Sequence, residues 1–436
     1  MAYDAIEILG RGGFGVVERV VDGAGQVFAR KTLEVPAHID VAAMKPRFER
    51  EVRYQRAITH PNVVHIFDHD LNANPPWFIM PMAECSLLDE MSVDRTLGGA
   101  PLKALFDILA GLEEIHTRGY CHRDLKPGNV LRFRDGTGQP FYALSDFGLM
   151  AVGEEASSTL TPSGMGGGTP AYQAPECAIN FKRATARSDI YSFGALLHDI
   201  FAVNPKRLPH EELTGPGAIG PVIEKCTKRN AHRRYKDVAQ LREALFEALN
   251  GFTFAFESGE EEKAVLLLAD EAVLPSPENW DDIFDLLDAN SSTSQPTYTV
   301  FRTLRLEHIQ QLSEEDPDLL AALGKMFADH CRTMSFNFDY CDVLATKAQL
   351  FYDLGEVGLQ ADIAVAMLRL GLSHNRWFVE RKFVQMVGPI SSQLAERILV
   401  EMSVLGIDFP YEFGRMQRSI SVSKDVLHPV LQAQVP

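Results

Sequence analysis

At 436 residues the chain is longer than one hydrophobic core usually supports, so two domains are expected. Its 46% hydrophobic and 23% charged residues are a globular composition. No apolar run approaches the ~20 residues a membrane helix needs, and no basic run followed by an apolar segment opens the chain, so a cytoplasmic protein is expected. The net charge of −17 is uneven: residues 1–250 hold 28 Lys and Arg against 31 Asp and Glu, and residues 251–436 hold 14 against 28. The second half would repel phosphate backbones and anionic lipid, which argues against nucleic acid or membrane as partners.

The N-terminal stretch alternates weakly and meets Gly10-Arg11-Gly12-Gly13-Phe14-Gly15-Val16-Val17. Glycines spaced this way let backbone N–H groups approach a triphosphate. The same spacing opens dinucleotide-binding folds, but there a helix must follow, and residues 16–21 are β-branched and strand-like. A turn at 22–25 leads to a strand at 27–33 that carries Lys31. Residues 48–54 read as a charged amphipathic helix that stops near His60-Pro61-Asn62. Residues 63–67 and 77–80 read as a strand pair across a Pro-rich loop. His65 and His69 would not share a helix face there, so metal ligation by them is not expected.

A helix expected over 101–117 runs into His122-Arg123-Asp124-Leu125-Lys126-Pro127-Gly128-Asn129. An acid, an ammonium and an amide lie close together, with a proline, a glycine and apolar neighbours to fix the loop. Phosphoryl transfer asks for this set: a carboxylate to orient a hydroxyl, a cation to spread charge, and oxygens for a metal. Fewer than twenty residues later a short strand leads into Asp146-Phe147-Gly148. A Gly-, Ser- and Thr-rich stretch follows to residue 168, then Gly168-Thr169-Pro170-Ala171-Tyr172-Gln173-Ala174-Pro175-Glu176. Ser188 is expected to cap an apolar helix, and 237–249 to form another amphipathic one.

Taken together, these motifs resemble the eukaryotic-type (Hanks-type) serine/threonine protein kinases over about the first 250 residues. The resemblance implies a two-lobed α+β kinase fold that takes ATP with Mg2+, or Mn2+, and acts on protein substrates. It implies that Gly10, Gly12, Gly15, Val17 and Ala29 cover the nucleotide, with Met80 behind the adenine and Pro81 and Ala83 as its hinge. Lys31 would clamp the phosphates and pair with Glu51, with Glu49 as the rival. Asp124 would take the hydroxyl proton, Lys126 would face the transferred group, and Asn129 and Asp146 would hold the metal. The lysine two places after Asp124 resembles the serine/threonine branch.

The family further implies regulatory roles for Arg123, as receiver of a phosphate, and for Phe147. Thr161, Ser163 and Thr169 are candidate modification or docking positions. Glu176 would pair with Arg234, with Arg233 second, and Asp189 would brace the catalytic loop. One departure stands out. Four residues past Glu51, where the family usually has an apolar side chain, this chain has Gln55. An unpartnered buried amide costs about 1–3 kcal/mol, so a loosely held helix is expected.

Beyond residue 251 the periodicity is helical throughout. An acidic linker is expected at 252–263, then an all-α helical-hairpin domain, bundle or solenoid-like, over 264–436. Helices are expected at 264–273, 277–288, 299–311, 318–334, 340–354, 359–370, 376–387 and 391–405. No catalytic constellation appears there, so regulation or the docking of a protein partner is its expected role. A nucleotide-binding scaffold without catalysis would lack Lys31, Asp124 or Asp146, and small-molecule kinases generally lack the 168–176 segment. An autophosphorylating protein serine/threonine kinase is the reading that remains.

Overall fold

The computed structural model describes residues 3–11, 15–34, 41–147, 151–152, 170–179, 183–251, 255–270 and 272–436. The chain separates into two compact units, Met1–Gly251 and Phe252–Pro436.

The first unit begins with strands β1 (Tyr3–Arg11), β2 (Gly15–Asp22) and β3 (Val27–Leu33), then helix α1 (Val41–Arg56), β4 (Asp68–Asp70) and β5 (Trp77–Pro81). The five strands form one antiparallel sheet in the order β1-β2-β3-β5-β4. Helix α1 docks on it because Met44, Phe48 and Val52 recur every fourth residue and bury among Ala29, Leu33, Phe78 and Met80. Arg47, Glu51 and Gln55 form the neighbouring stripe of the same helix. Residues 63–67, expected as a strand, are not one. Val63 makes a lone parallel bridge to Leu144 and the strand falls later, at β4. The cause is Asn62, whose side chain donates to the Tyr142 carbonyl at 2.8 Å and whose own carbonyl accepts from the Leu144 amide at 2.9 Å. That stretch is thereby tied to the second lobe instead of the sheet.

The second lobe holds β6 (Cys85–Ser86), α2 (Leu87–Val93), α3 (Leu102–Thr117), β7 (Tyr120–Cys121), β8 (Val130–Arg134), β9 (Pro140–Leu144) and β10 (Ala151–Val152). It continues with α4 (Pro175–Ile179), α5 (Ala186–Phe201), α6 (Ile219–Cys226) and α7 (Val238–Leu249). Helix α3 is buried along most of its length, and Gly111 is required in it: a Cβ there would lie 2.5 Å from the Asn62 carbonyl. Ser188 is not the cap of α5. Thr185 holds that position, and Ser188, at N3, accepts from the Thr185 amide at 3.0 Å.

The second unit is helical: α8 (Gly259–Ala269), α9 (Pro277–Asp288), α10 (Gln295–Thr303), α11 (Leu306–Glu315), α12 (Pro317–Thr333) and α13 (Tyr340–Leu354). Then come α14 (Val357–His374), α15 (Trp377–Val387), α16 (Ser392–Val404), α17 (Phe409–Ile420) and α18 (Pro429–Gln432). The acidic run expected as linker is instead the first turns of α8, capped by Ser258, because Glu260, Glu261 and Glu262 favour a helix N-terminus. The single helix expected over 299–311 is two, with Lys347 donating to the carbonyls of Phe301 (3.1 Å) and Arg302 (2.9 Å), which closes α10. Helices α17 and α18 lie beyond the expected set. Helix α14 is apolar on nearly all sides and packs against α12, α13, α15 and α16. Among the described residues no helix is long and apolar enough to cross a membrane.

Glu380 on α15 is fully buried. Burial pushes its carboxyl up to about 7, against the pull of a hydrogen bond from Ser419 and of the charges of Arg415 and Arg381. A carboxyl raised on folding stabilises below its unfolded value and loses that contribution as pH rises through the folded one. Between pH 5.5 and 8 the helical unit should therefore lose about 2 kcal/mol through this residue. Thermal unfolding of Glu380→Gln should show a correspondingly flatter pH dependence than the parent; parallel curves would contradict it.

Candidate active site

Strand β3 carries Lys31 inward, opposite Val17 on one side and Phe78 on the other. Its Nζ donates to Glu51 Oε1 at 2.6 Å and to Asp146 Oδ1 at 3.3 Å. Burial opposes the charge on Lys31, but Asp146 and Glu51 outweigh it and raise the ammonium above its ordinary value. Burial raises the Glu51 carboxyl against the pull of Lys31. At Asp146 burial likewise opposes ionisation, but Lys31 and Lys126 hold the carboxyl below the usual range. Glu49 faces elsewhere, 3.6 Å from Arg53. Gln55 is 1% exposed; its Nε2 donates to the Val64 carbonyl at 2.7 Å while its Oε1 has no partner among the described residues, so the expected cost is met in part.

Gly15 permits close passage over β3, since a Cβ there would lie 2.9 Å from the Thr32 carbonyl. Gly10 lies opposite Val17, and Gly12 lies outside the described residues. Met80 and Ala29 pair across β3 and β5, with Pro81 at the strand end and Met82 and Ala83 half-buried after it.

The loop after β7 is wired from below. Asp189 of α5 is fully buried and accepts from the His122 and Arg123 amides, both at 2.8 Å, and from His116 Nε2 at 2.8 Å. Burial would raise its carboxyl, but His116 and His122 and these amides hold it low. The carboxylate thus fastens Arg123, whose φ of 68° is unusual for a side-chain-bearing residue, and Asp146 has a similar φ of 63°. Lys126 Nζ donates to Asp124 Oδ2 at 2.8 Å. Asn129 Nδ2 donates to the Asp124 carbonyl at 2.8 Å and to its Oδ2 at 3.0 Å. The Asn129 carbonyl in turn accepts from the Ser145 amide at 2.8 Å, one residue before Asp146.

The Asn129 amide nitrogen is committed to Asp124, which leaves its amide oxygen as a donor atom for a metal, and Asp146, whose Oδ1 accepts from Lys31, adds carboxylate oxygen. This hard-donor pair suits a divalent cation that completes its shell with water and phosphate oxygens.

Several contributors were not legible in the sequence. His122 donates to the Ser145 carbonyl at 3.0 Å, and its ring lies tilted at 48° with its centroid 5.1 Å from that of Phe147, which is buried. Arg47, one turn before Glu51, is pulled down by burial against the charges of Asp146, Glu51 and Asp124, so it adds a third cation to the site. Its spacing from Glu51 was the available signal. Farther out, Arg234 grips Glu176 with two bonds of 2.7 and 2.8 Å, and Ser188 donates to the same carboxylate at 2.8 Å. Arg233 does not take that place. Thr161, Ser163 and Thr169 lie outside the described residues.

A family model described as the protein kinase domain matches residues 3–240. The chain belongs to the protein kinase family. Its kinase domain is 37% identical over 212 residues to the DNA damage-responsive serine/threonine-protein kinase RqkA of Deinococcus radiodurans, covering 47% of this chain and 30% of that one. The chain is 31% identical over 323 residues to the serine/threonine-protein kinase pkn2 of Myxococcus xanthus, covering 68% of this chain and 38% of that one. A second Myxococcus xanthus protein, the serine/threonine-protein kinase Pkn1, is 30% identical over 274 residues, covering 57% and 38%. The alignments take in less than two fifths of these relatives. The kinase domain implies ATP and a divalent metal.

Arg234 has a fully buried side chain. Replacing it with alanine would strand Glu176 beside Ser188 and should destabilise the kinase unit by roughly 3–5 kcal/mol. Denaturant unfolding of Arg234→Ala measures this, and a loss below about 1 kcal/mol would mark the pair as a surface-type contact.

Proposed function

We propose that the chain is an ATP-dependent protein serine/threonine kinase that transfers the γ-phosphoryl group of ATP to a protein hydroxyl. The observation that carries this reading is the Lys31 ammonium held between Glu51 and Asp146, with Asp124 and Asn129 on the adjoining loop. In it, Lys31 binds the α- and β-phosphates, positioned by Glu51. Asp124 orients the substrate hydroxyl and takes its proton as the oxygen attacks the γ-phosphorus and the bond to the departing ADP breaks. Lys126, 2.8 Å from Asp124, stabilises charge on the transferred group. Asn129 and Asp146 would hold the metal, read as Mg2+ because both offer hard oxygen donors. When bound there, the metal would neutralise phosphate charge.

Gly10, Gly12, Gly15, Val17, Ala29, Met80, Pro81 and Ala83 form the nucleotide sleeve in this reading. Protein substrates dock along 168–176, and a phosphate on the preceding segment is received by Arg123. The acidic helical unit serves docking or regulation, and its charge disfavours nucleic acid and membrane. A cytoplasmic location accords with six free cysteines.

Asp124→Asn should lower phosphate transfer to a generic protein substrate by about 10²–10⁴-fold while nucleotide binding persists. Radiolabelled ATP transfer and a fluorescent-nucleotide titration test the two halves of this statement. A retained transfer rate would reject the assignment.

A further inference from the structure

The helical unit contains a cavity that phosphoryl transfer does not use. It is a trough of about 530 Å³ between α8 and α9, with Ala264, Leu267, Ile283 and Leu286 among its lining. That volume lies in the range of ligand and peptide pockets and is too small for the face of a folded partner. Leu267 and Leu286 are only half-buried, so the floor presents apolar surface to an incoming side chain.

The neutral polar groups of the lining are occupied with helix ends. Ser258 Oγ accepts from the Glu261 amide at 3.0 Å, Asn279 Oδ1 accepts from the Ser276 amide at 3.1 Å, and Asn290 Nδ2 donates to the Leu286 carbonyl at 2.7 Å. Lys263, the cation of the lining, is 2.6 Å from Asp282. Glu260 and Asp285 are exposed on the rim, giving it a net negative charge. The surrounding field has the same sign, since residues 257–288 contain eleven Asp and Glu against one Lys. A ligand that gains from this site has to offer apolar groups to the floor and cations to the rim.

We propose that the α8–α9 trough binds a basic, apolar peptide segment of a partner protein, with a Leu- or Phe-type side chain on the floor and Lys or Arg beside Glu260, Asp282 and Asp285. Binding of this kind stands on the helical unit alone. Its consequence, recruitment of a protein substrate through a segment apart from the phosphorylated hydroxyl, rests on the kinase reading above; tethering would raise the local concentration of the acceptor.

The test uses the full chain and two labelled 12-residue peptides of equal apolar content, one carrying Lys and Arg around its leucines and the other Glu in their place. Fluorescence anisotropy should show binding of the basic peptide only, weakened about tenfold between low and 0.3 M salt and by a similar factor in the double variant Glu260→Lys, Asp285→Lys. Hydrogen exchange on the unaltered protein should show peptide-dependent protection in 259–267 and 277–289. Equal affinity of the double variant, protection elsewhere, or no binding of the basic peptide would overturn the proposal. The Asp124→Asn variant should bind the basic peptide as the parent does, so that failure of the trough and failure of the transfer reaction are read separately.

Discussion

A single ammonium held between two carboxylates organises the kinase unit. Lys31 comes from a strand, Glu51 from a helix and Asp146 from the end of another strand, so the contact joins three segments distant in sequence. In a partly dry cleft such charges attract far more strongly than in water, but each has also lost hydration. The arrangement holds only if packing keeps the partners in place. Phe48 and Val52 press α1 to the sheet and Gln55 pins the helix's last turn to Val64, which leaves Glu51 facing Lys31. The charge cluster is thus an outcome of apolar spacing on α1.

The same logic extends to the loop that bears Asp124. Its backbone is fixed by a carboxylate from below, since Asp189 takes two consecutive amides and a histidine. Its side chains are fixed from within, by Lys126 and Asn129 on Asp124. Ser145 joins this loop to Asp146 through the Asn129 carbonyl and through His122. Asp124, Lys126, Asn129, Asp146 and Lys31 are therefore one hydrogen-bonded structure rather than separate side chains that happen to meet. Preorganisation of this kind is where most of the rate of a phosphoryl transfer comes from.

Much of this was legible because glycine spacing, the acid-ammonium-amide loop and the Asp-Phe-Gly turn are local patterns with local reasons. The geometry at Glu51, Asp189 and the Glu176–Arg234 pair lies where the motif resemblance pointed. What escaped was non-local. The 63–67 stretch looks like a strand by composition, yet Asn62 diverts it toward β9. Gln55 reads as a wholly unpartnered amide, yet the Val64 carbonyl accepts from its Nε2. Arg47 carries no motif of its own, and its role depends on which face of α1 turns inward. In the helical unit, the acidic run before residue 264 resembled a linker because charge density is the same for a solvated linker and a well-capped first turn. The break between α10 and α11 depends on Lys347 some forty residues away.

The central claim is that Lys31 and Glu51 act on nucleotide as one unit. A double-mutant cycle on ATP affinity, measured with divalent metal in the parent, Lys31→Met, Glu51→Gln and the combined variant, tests this most directly. The account predicts a coupling of roughly 1–3 kcal/mol, with the combined variant hardly worse than Lys31→Met alone. Additive losses, with no coupling, would contradict it.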